Sequence, residues 1–311
     1  MTFSKSIDIL CVGEVLIDFI GHQQDVFINQ TRDYHRYLGG SPANVVMNSA
    51  RLGLKSKLVA AVGKDGFGEY VFERLDELGV DTSSICKCEQ PTSIIFVSRS
   101  SQTPEFLPYR TSDFLINEEQ ITSETLRSSS IFHTTCFALS KKPAQKTILK
   151  KAEEAYNASC KLSIDVNFSE KIWNDRDEAI TVLKEYCSYN PLVKISDDDS
   201  ERLFGNNFSK NELFSFFHEN GVDIVCLTLG KKGVELSQKG KPVIKMSAIK
   251  IKKVMDTTGA GDAFWSGFLF SYLKKKSLEE CLSIALKLAS LKLQNVGRLP
   301  NNINIISQLI E

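Results

Sequence analysis

The chain reads Leu162-Ser-Ile-Asp-Val166, then Leu192-Val-Lys-Ile195, then Asp223-Ile-Val-Cys-Leu-Thr-Leu229, three short runs rich in apolar and β-branched residues. Between them, residues 175–189 and 210–220 carry apolar side chains at positions i, i+3 and i+4, the period of an amphipathic helix. Continuous apolar runs are typical of strands that are buried on both faces. Their alternation with helices favours a mainly parallel sheet covered by helices on each side, which is an α/β fold.

The same alternation extends towards both ends of the chain. Further strands are predicted at 7–13, 57–62 and 131–135, and further helices at 42–52, 66–78, 143–157, 260–273 and 278–293, with a short terminal helix after 300. Two segments, approximately 15–38 and 90–113, show extended, partly polar alternation instead. We expect these segments to pair as a small separate sheet, inserted in a single domain that spans 1–311.

Composition excludes several classes of function. Lys and Arg together number 38 and Asp and Glu also number 38, so the basic surface that nucleic-acid binding requires is not indicated. The longest apolar runs are far shorter than the ~20 residues that cross a bilayer. The N-terminus has Asp8 inside its apolar stretch, which is typical of a first strand and not of a signal peptide.

Eight cysteines are scattered along the chain, mostly inside apolar runs. They form no Cys-x-x-Cys pair and have no His at the spacing of a metal site. Buried free thiols are the simplest interpretation, and they are typical of a cytoplasmic protein.

The strongest chemical signal is the turn Asp256-Thr-Thr-Gly259-Ala260-Gly261-Asp262, which directly precedes a helical run. Small residues leave the first N–H groups of a helix open, and the helix dipole adds partial positive charge, so the turn predicts an anion site. A carboxylate beside bound anions is unfavourable unless it has a chemical task. Asp262 is therefore interpreted as a base that takes a proton from a hydroxyl attacking a phosphoryl group. The alternative is that Asp262 only caps the helix.

Other phosphate-binding patterns are missing from the sequence. It contains no P-loop, and Phe264 stands where a dinucleotide-binding turn requires its third glycine. A second cluster, Gly39-Gly40-Ser-Pro-Ala-Asn44, also precedes a helix and suits the close approach of a polyhydroxy ligand, although a tight turn before a helix explains it equally. Two further glycine clusters, 62–68 and 228–233, follow strands where open α/β sheets bind ligands.

Taken in this order, these residues resemble the PfkB carbohydrate kinases, the ribokinase-like family, from residue 9 to about residue 300. The first family motif is matched by Gly39–Asn44, with 50–53 and 63–68 behind it, and the second by Asp256–Asp262. The resemblance implies a ribokinase-like three-layer α/β/α sandwich with a mainly parallel central sheet and a small β-sheet lid. It also implies an ATP-dependent sugar kinase that uses Mg²⁺.

The resemblance assigns roles to individual positions. Asp262 matches the catalytic base, and the amides of Gly259, Ala260 and Gly261 match those that stabilise the transferring phosphoryl group. The implied sugar contacts are Asp18, Gly39, Gly40, Asn44, Arg110, Asp165 and Asn167. The implied nucleotide contacts are Lys194, Ser196, Thr228, Gly230, Gly233 and Asn295. For Arg110, a bidentate pair with a substrate carboxylate, contact with neutral hydroxyls and closure of the lid remain open.

The resemblance also implies two metal-ion ligands, Asp199 for Mg²⁺ and Asp256 for K⁺. The family motif Asn-x-x-Glu organises Mg²⁺ largely through water, and here Ser196 stands for its Asn and Asp199 for its Glu, one methylene shorter. Asp256 matches a monovalent-cation ligand of several family members, which adds K⁺ as a candidate cofactor.

Within the family, the stretches around Glu14, Arg110 and Asp165 look like the fructokinase branch, although Ser169 stands where that branch has an Arg. Fructose is therefore the predicted acceptor. 2-Keto-3-deoxygluconate, ribose and a nucleoside are the alternatives, and a non-catalytic sugar or nucleotide sensor is the alternative from another class. The edge of the lid sheet predicts a homodimer.

Overall fold

The computed structural model describes residues 5–100, 104–297 and 299–300. In this part of the chain the strands are β1 (Ile7–Val12), β2 (Leu16–Gln24), β3 (Tyr34–Gly39), β4 (Ser56–Gly63), β5 (Asp81–Cys88), β6 (Ile94–Arg99), β7 (Phe106–Tyr109), β8 (Ser129–Thr135), β9 (Lys161–Val166), β10 (Leu192–Ser196), β11 (Ile224–Thr228), β12 (Val234–Gln238) and β13 (Ile244–Met246). The α-helices are α1 (Ser41–Arg51), α2 (Gly66–Asp76), α3 (Ser123–Ser128), α4 (Ala144–Asn157), α5 (Arg176–Cys187), α6 (Asp197–Phe204), α7 (Lys210–Glu219), α8 (Ala260–Leu273) and α9 (Leu278–Leu293).

The central sheet has nine strands in the order β13-β12-β11-β10-β9-β8-β1-β4-β5. All neighbours from β11 to β5 pair in parallel, whereas β12 and β13 are antiparallel at one edge. Alternate residues of β1 enter two different hydrophobic clusters, since Leu10 and Val12 belong to one and Ile9 and Cys11 to the other. Both faces of the sheet are therefore covered, and the predicted three-layer α/β fold is confirmed.

The small sheet has the order β3-β2-β6-β7. Strands β2 and β6 pair in parallel, and β3 and β7 flank them in antiparallel pairs. The prediction of a separate small sheet from the two polar segments is confirmed, and its strands lie within 15–38 and 90–113 except for Gly39.

Helix α8 carries apolar residues on every side and is buried along most of its length, as a helix of this composition must be. Trp265 anchors it to the central sheet by donating its indole N–H to Ser163 Oγ at 2.9 Å. Gly267 admits α9 at close range, because a Cβ there would lie 2.9 Å from Ala285 Cα. These contacts fix the first turn of α8 beside the carboxyl ends of β9 and β10.

The structure differs from the sequence expectation at the sheet edges. Strand β5 was not predicted, because its sequence Asp-Thr-Ser-Ser-Ile-Cys-Lys-Cys is polar and half exposed, as edge strands often are. The antiparallel strands β12 and β13 were also not predicted. The predicted terminal helix after 300 lies outside the described residues. All eight cysteines are free thiols; six are buried, and Cys86 and Cys88 on β5 are partly exposed. In the part of the chain that the structure describes, no helix is both long and apolar enough to cross a membrane.

Candidate active site

The first turn of α8 brings the two predicted motifs together. Gly259 caps the helix with a left-handed φ of 73°, a conformation that glycine adopts without strain. Asp262, 9% exposed, accepts hydrogen bonds from Ser41 Oγ at 2.6 Å and from Asn44 Nδ2 at 2.8 Å. Its carboxylate is therefore held in place by the helix that follows the other glycine cluster.

The Gly39-Gly40 turn is shaped by the side-chain and backbone groups that it faces. A Cβ at Gly39 would lie 2.2 Å from the Asp18 carboxyl group, and one at Gly40, where φ is 98°, would lie 2.4 Å from the Glu14 carbonyl oxygen. Only glycine admits these approaches. The predicted positions Asp18, Gly39, Gly40, Asn44 and Asp262 thus form one cluster between the small sheet and α8.

The environment of Asp18 opposes negative charge. Burial, with the nearby carboxylates of Asp262 and Asp256, raises the pKa of Asp18 to about 7. Hydrogen-bond donors from a bound ligand would favour the ionised form, because they stabilise the carboxylate. The cluster therefore suits a ligand with several hydroxyl groups.

Glu14 supports this cluster from behind, a role that sequence reasoning missed. One carboxyl oxygen accepts the Ser41 backbone N–H at 3.1 Å and the other accepts the Thr135 hydroxyl at 2.8 Å. The side chain is buried, and burial raises the pKa of Glu14 to about 8. Glu14 ties the start of α1 to the end of β8, and the sequence signal, a Gly-Glu after β1, does not reveal these partners.

A buried ion pair lies on the other side of the glycine turn. Lys194 Nζ is 2.9 and 3.0 Å from the two carboxyl oxygens of Asp165. A Cβ on Gly261 would lie 2.8 Å from the same Nζ, so the ammonium lies directly against the turn. Burial opposes the charge of Lys194, but the carboxylates of Asp165, Asp199 and Asp262 outweigh it and raise its pKa. The structure thus joins two residues that were predicted to bind different ligands.

Ser196 and Asp199 form the start of α6. Ser196 Oγ caps the helix by accepting the Asp199 backbone N–H at 3.0 Å, and its hydroxyl donates to the Asp199 carboxylate. Arg202 Nη1 also contacts that carboxylate at 3.2 Å. Burial raises the pKa of Asp199. Its carboxylate oxygens are hard donors of the kind that Mg²⁺ prefers, so Asp199 is chemically suited to hold Mg²⁺ through water.

The remaining predicted nucleotide positions lie at the end of β11, in the turn after it, and just after α9. Thr228 ends β11, and Gly230 and Gly233, with φ of 53° and 106°, shape the turn into β12. A Cβ on Gly233 would lie 2.0 Å from Met246 O, so this glycine is required by the sheet itself. Asn295 donates from Nδ2 to Leu291 O at 2.8 Å, at the end of α9.

Arg110 and Asn167 take part in loop contacts. Arg110 donates from Nε to Asp113 at 2.8 Å and from Nη1 to Ser140 Oγ at 2.5 Å, with only 4% of its side chain exposed. Asn167 Oδ1 accepts the Phe137 backbone N–H at 2.9 Å. Their predicted contacts with a sugar stay predictions.

A second buried ion pair lies behind Gly259. Asp256 is fully buried and accepts the backbone N–H groups of Thr258 at 3.0 Å and Gly297 at 2.9 Å. Lys292 of α9 reaches the same carboxylate with Nζ at 3.3 Å. Sequence reasoning assigned Asp256 to K⁺ and did not anticipate Lys292.

Comparison with known proteins fits this geometry. The family described as pfkB family carbohydrate kinase matches residues 6–303. An ATP-dependent 6-phosphofructokinase of Thermoanaerobacterium thermosaccharolyticum is 33% identical over 94% of this chain and 90% of its own. The solved fructokinase of Halothermothrix orenii is 34% identical, with a TM-score of 0.80 over 91% of this chain and 98% of its own. A sugar kinase of Pyrococcus horikoshii, solved in complex with ATP, is 30% identical, with a TM-score of 0.80 over 93% of each chain. The chain therefore belongs to the pfkB family of carbohydrate kinases and is a phosphotransferase that acts on a sugar hydroxyl.

Proposed function

We propose that this kinase transfers the γ-phosphate of ATP to a hydroxyl of fructose. The observation that carries the proposal is the position of Asp262, fixed by Ser41 and Asn44 in the first turn of α8 and close to Asp18. Phosphoryl transfer to a sugar requires a base, an anion-binding helix N-terminus, and a carboxylate that accepts hydrogen bonds from the sugar hydroxyls. The fructokinase-named relative with 34% identity supports fructose as the acceptor.

The chain's own residues supply the following steps. Asp18, the Gly39-Gly40 turn and Asn44 bind and orient the sugar so that one hydroxyl faces Asp262. Asp262 accepts the hydroxyl proton as the hydroxyl oxygen forms a bond to the γ-phosphorus. The bond between that phosphorus and the oxygen bridging it to the β-phosphate breaks, and ADP leaves. The amides of residues 259–261 and the Lys194 ammonium stabilise the charge on the transferring phosphoryl group. The small sheet acts as a lid over the sugar and excludes water, which would compete as acceptor.

The predicted nucleotide side follows from the same arrangement. We place the ATP phosphates beside the first turn of α8, on the side where Lys194 lies against Gly261, with Thr228, Gly230 and Gly233 beside the nucleotide. Asp199 and Ser196 would hold Mg²⁺ through water. When bound, Mg²⁺ neutralises charge on the phosphates.

The proposal is tested by measuring ADP release from Mg-ATP with fructose, glucose, ribose, 2-keto-3-deoxygluconate, tagatose and adenosine. Strong turnover on fructose is expected. Asp262→Asn should lower kcat by roughly 10²–10⁴ while sugar affinity stays near native, because it removes a proton acceptor and keeps the shape. Asp177→Asn, which removes an exposed carboxylate on α5, is the matched control. Unchanged turnover in Asp262→Asn would remove it from the mechanism, and ATP binding without turnover on any acceptor would favour the sensor alternative.

Phosphorylated fructose is a second candidate acceptor. His35 and Tyr37 lie opposite Ile20 and Asp18 in the β2–β3 pairing, so they share the face that carries Asp18. With Arg99 they line a pocket of about 280 Å³. Imidazole and guanidinium groups suit a phosphate. The relative named 6-phosphofructokinase supports the same acceptor.

The two acceptors are separated by assaying fructose and fructose 6-phosphate side by side. If the phosphorylated sugar is the substrate, Arg99→Gln should raise its KM about tenfold, the effect of losing one good charge-assisted hydrogen bond. Activity with fructose should change little. Equal effects on both sugars would mean that Arg99 acts only through the structure of the small sheet.

We also propose that two copies associate through the small sheet. Its face away from Asp18 carries an aromatic cluster in which Phe96 stacks on Phe19 and meets Tyr109 edge-on. On the same strand β7, Leu107 and Tyr109 are 42% and 52% exposed. Light scattering should give a molecular mass twice the 34.8 kDa of one chain. Leu107→Lys places a charge on the exposed apolar surface and should lower the measured mass to that of a single chain.

A further inference from the structure

We propose that the Lys292 ammonium replaces a monovalent metal cation beside Asp256, so that this kinase has no requirement for K⁺. This inference rests on the proposed function, because that function gives the glycine turn its role in phosphoryl transfer. The cation site itself is argued only from the residues around Asp256.

The buried charge of Asp256 already has a counter-ion. Asp256 is 0% exposed, and the side chain of Lys292 is only 3% exposed, with Nζ 3.3 Å from Asp256 Oδ2. A buried carboxylate requires a paired cation or strong hydrogen bonds, because burial without them is costly. Lys292 meets this requirement from within the chain.

The oxygen atoms that a metal ion would need are also engaged. Lys292 Nζ donates to the Asn295 carbonyl oxygen at 3.1 Å as well as to Asp256. Asp256 additionally accepts the N–H groups of Thr258 and Gly297. A K⁺ ion binds by replacing its water shell with such oxygens. Here one ammonium holds a carboxylate and a carbonyl oxygen together, and a second cation beside it would be repelled. The predicted K⁺ site therefore does not fit the residues present.

The position of Lys292 links it to catalysis. A Cβ built on Gly259 would lie 3.6 Å from Lys292 Cε, 3.7 Å from Asn44 Nδ2 and 3.8 Å from Asp262 Oδ2. The lysine stem, the base and its hydrogen-bond donor thus surround the residue that caps α8. A cation here supports the turn that receives the phosphoryl group, and a covalently attached one cannot dissociate.

The first experiment uses the wild-type protein in chloride salts of K⁺, Na⁺ and tetramethylammonium at one ionic strength. The readouts are Tm with and without Mg-ATP, and turnover on the accepted sugar. Equal values in all three salts are expected. A rise in Tm or turnover that is specific to K⁺ would overturn the proposal. If no sugar is phosphorylated, the proposed function fails, whereas the Tm comparison still tests the cation site.

The second experiment removes the ammonium. Lys292→Ala should lose turnover, by about tenfold or more, in tetramethylammonium, the loss expected for one charge near the transition state. K⁺ should then raise both its Tm and its turnover, because the variant leaves an anionic cavity. Lys276→Ala, which removes a lysine from an exposed pair with Glu280, is the matched control and should behave as wild type in every salt. Full turnover of Lys292→Ala with Mg-ATP in tetramethylammonium, without a monovalent metal cation, would contradict the proposal. If this variant does not fold, the wild-type salt comparison remains decisive.

Discussion

The glycine turn at the start of α8 lies between two buried lysine–aspartate pairs, Lys194–Asp165 and Lys292–Asp256. The pairs are alike in burial, with no side chain more than 6% exposed. They differ in what else holds the aspartate. Both oxygens of Asp165 accept from Lys194, whereas Asp256 also accepts two backbone N–H groups from its own loop and from Gly297. The first carboxylate therefore depends on its lysine more than the second does.

The two lysines also differ in how firmly their charge is held. Neighbouring carboxylates raise the pKa of Lys194 although burial opposes them, whereas burial prevails at Lys292 and lowers its pKa. Lys194 lies against Gly261 with its Nζ, but Lys292 approaches Gly259 with its Cε. Lys194 thus contacts the turn with its charged end and Lys292 with its aliphatic stem. Under the proposed function, Lys194 is the lysine that would meet the phosphoryl group, and Lys292 would support the turn from behind.

Of the variants in these two ion pairs, Lys194→Met should cause the largest loss of stability and turnover. This change leaves the Asp165 carboxylate buried without its ammonium, so the free energy of unfolding should fall by about 3–5 kcal/mol. Turnover should fall by roughly 10² or more, because a charge near the transferring phosphoryl group is lost. Urea denaturation and ADP release measure the two effects.

A double variant tests the cause of that loss. Asp165→Asn combined with Lys194→Met removes both charges, and it should recover most of the stability without recovering turnover. Equal instability of the single and double variants would show that the loss comes from packing and not from an unpaired carboxylate.

Lys292→Met should cost less, about 1–3 kcal/mol of unfolding free energy, since Asp256 keeps its two backbone donors. The measurement is again urea denaturation, with Lys276→Ala expected to remain within about 0.5 kcal/mol of wild type. A loss as large as that of Lys194→Met would remove the distinction between the two pairs.

The same comparison shows what the sequence can predict. Strands β9, β10 and β11 were predicted within two residues of their observed bounds, because buried parallel strands are continuous apolar runs. Lys194 and Asp165 are direct neighbours in the β9–β10 pairing, so a correct strand order already brings them together. The apolar periodicity of α9 is set by its other residues and does not single out Lys292. The partner of Lys292, Asp256, lies in a loop 36 positions earlier. No periodicity or motif encodes that pairing.

The cluster around Asp262 was more predictable than the residues that support it. Asp262 and Asn44 were assigned from two glycine-rich motifs, and the structure joins them at 2.8 Å. Glu14 has no such motif, and its role depends on Ser41 and Thr135, which lie far from it along the chain. Short motifs indicate groups that act on a ligand, whereas groups that position them emerge only when the chain is folded.

The smallest expected effect is a change of sugar affinity with pH, and it depends on Asp18. The negative charge of Asp18 is opposed by burial and by the carboxylates of Asp262 and Asp256. Its pKa of about 7 means that the carboxyl is mostly protonated at pH 6 and mostly ionised at pH 8. Sugar hydroxyls donate to the ionised form, so sugar affinity, measured by calorimetry in the absence of ATP, should rise up to about tenfold over this range. Asp18→Asn should bind more weakly and lose this pH dependence.

The stability of the ligand-free protein provides an independent check, because the contribution of Asp18 to stability should fall over the pH range in which sugar affinity rises. In the unfolded chain Asp18 ionises near its ordinary pKa of 3.8, whereas the folded protein retains the proton until about pH 7. The unfolded state therefore binds fewer protons between these values, and the contribution of Asp18 to stability is lost as the pH rises. The Tm of Asp18→Asn relative to wild type should increase from pH 5 to pH 8. A constant difference, together with pH-dependent sugar affinity in Asp18→Asn, would assign the titration to another group of the site.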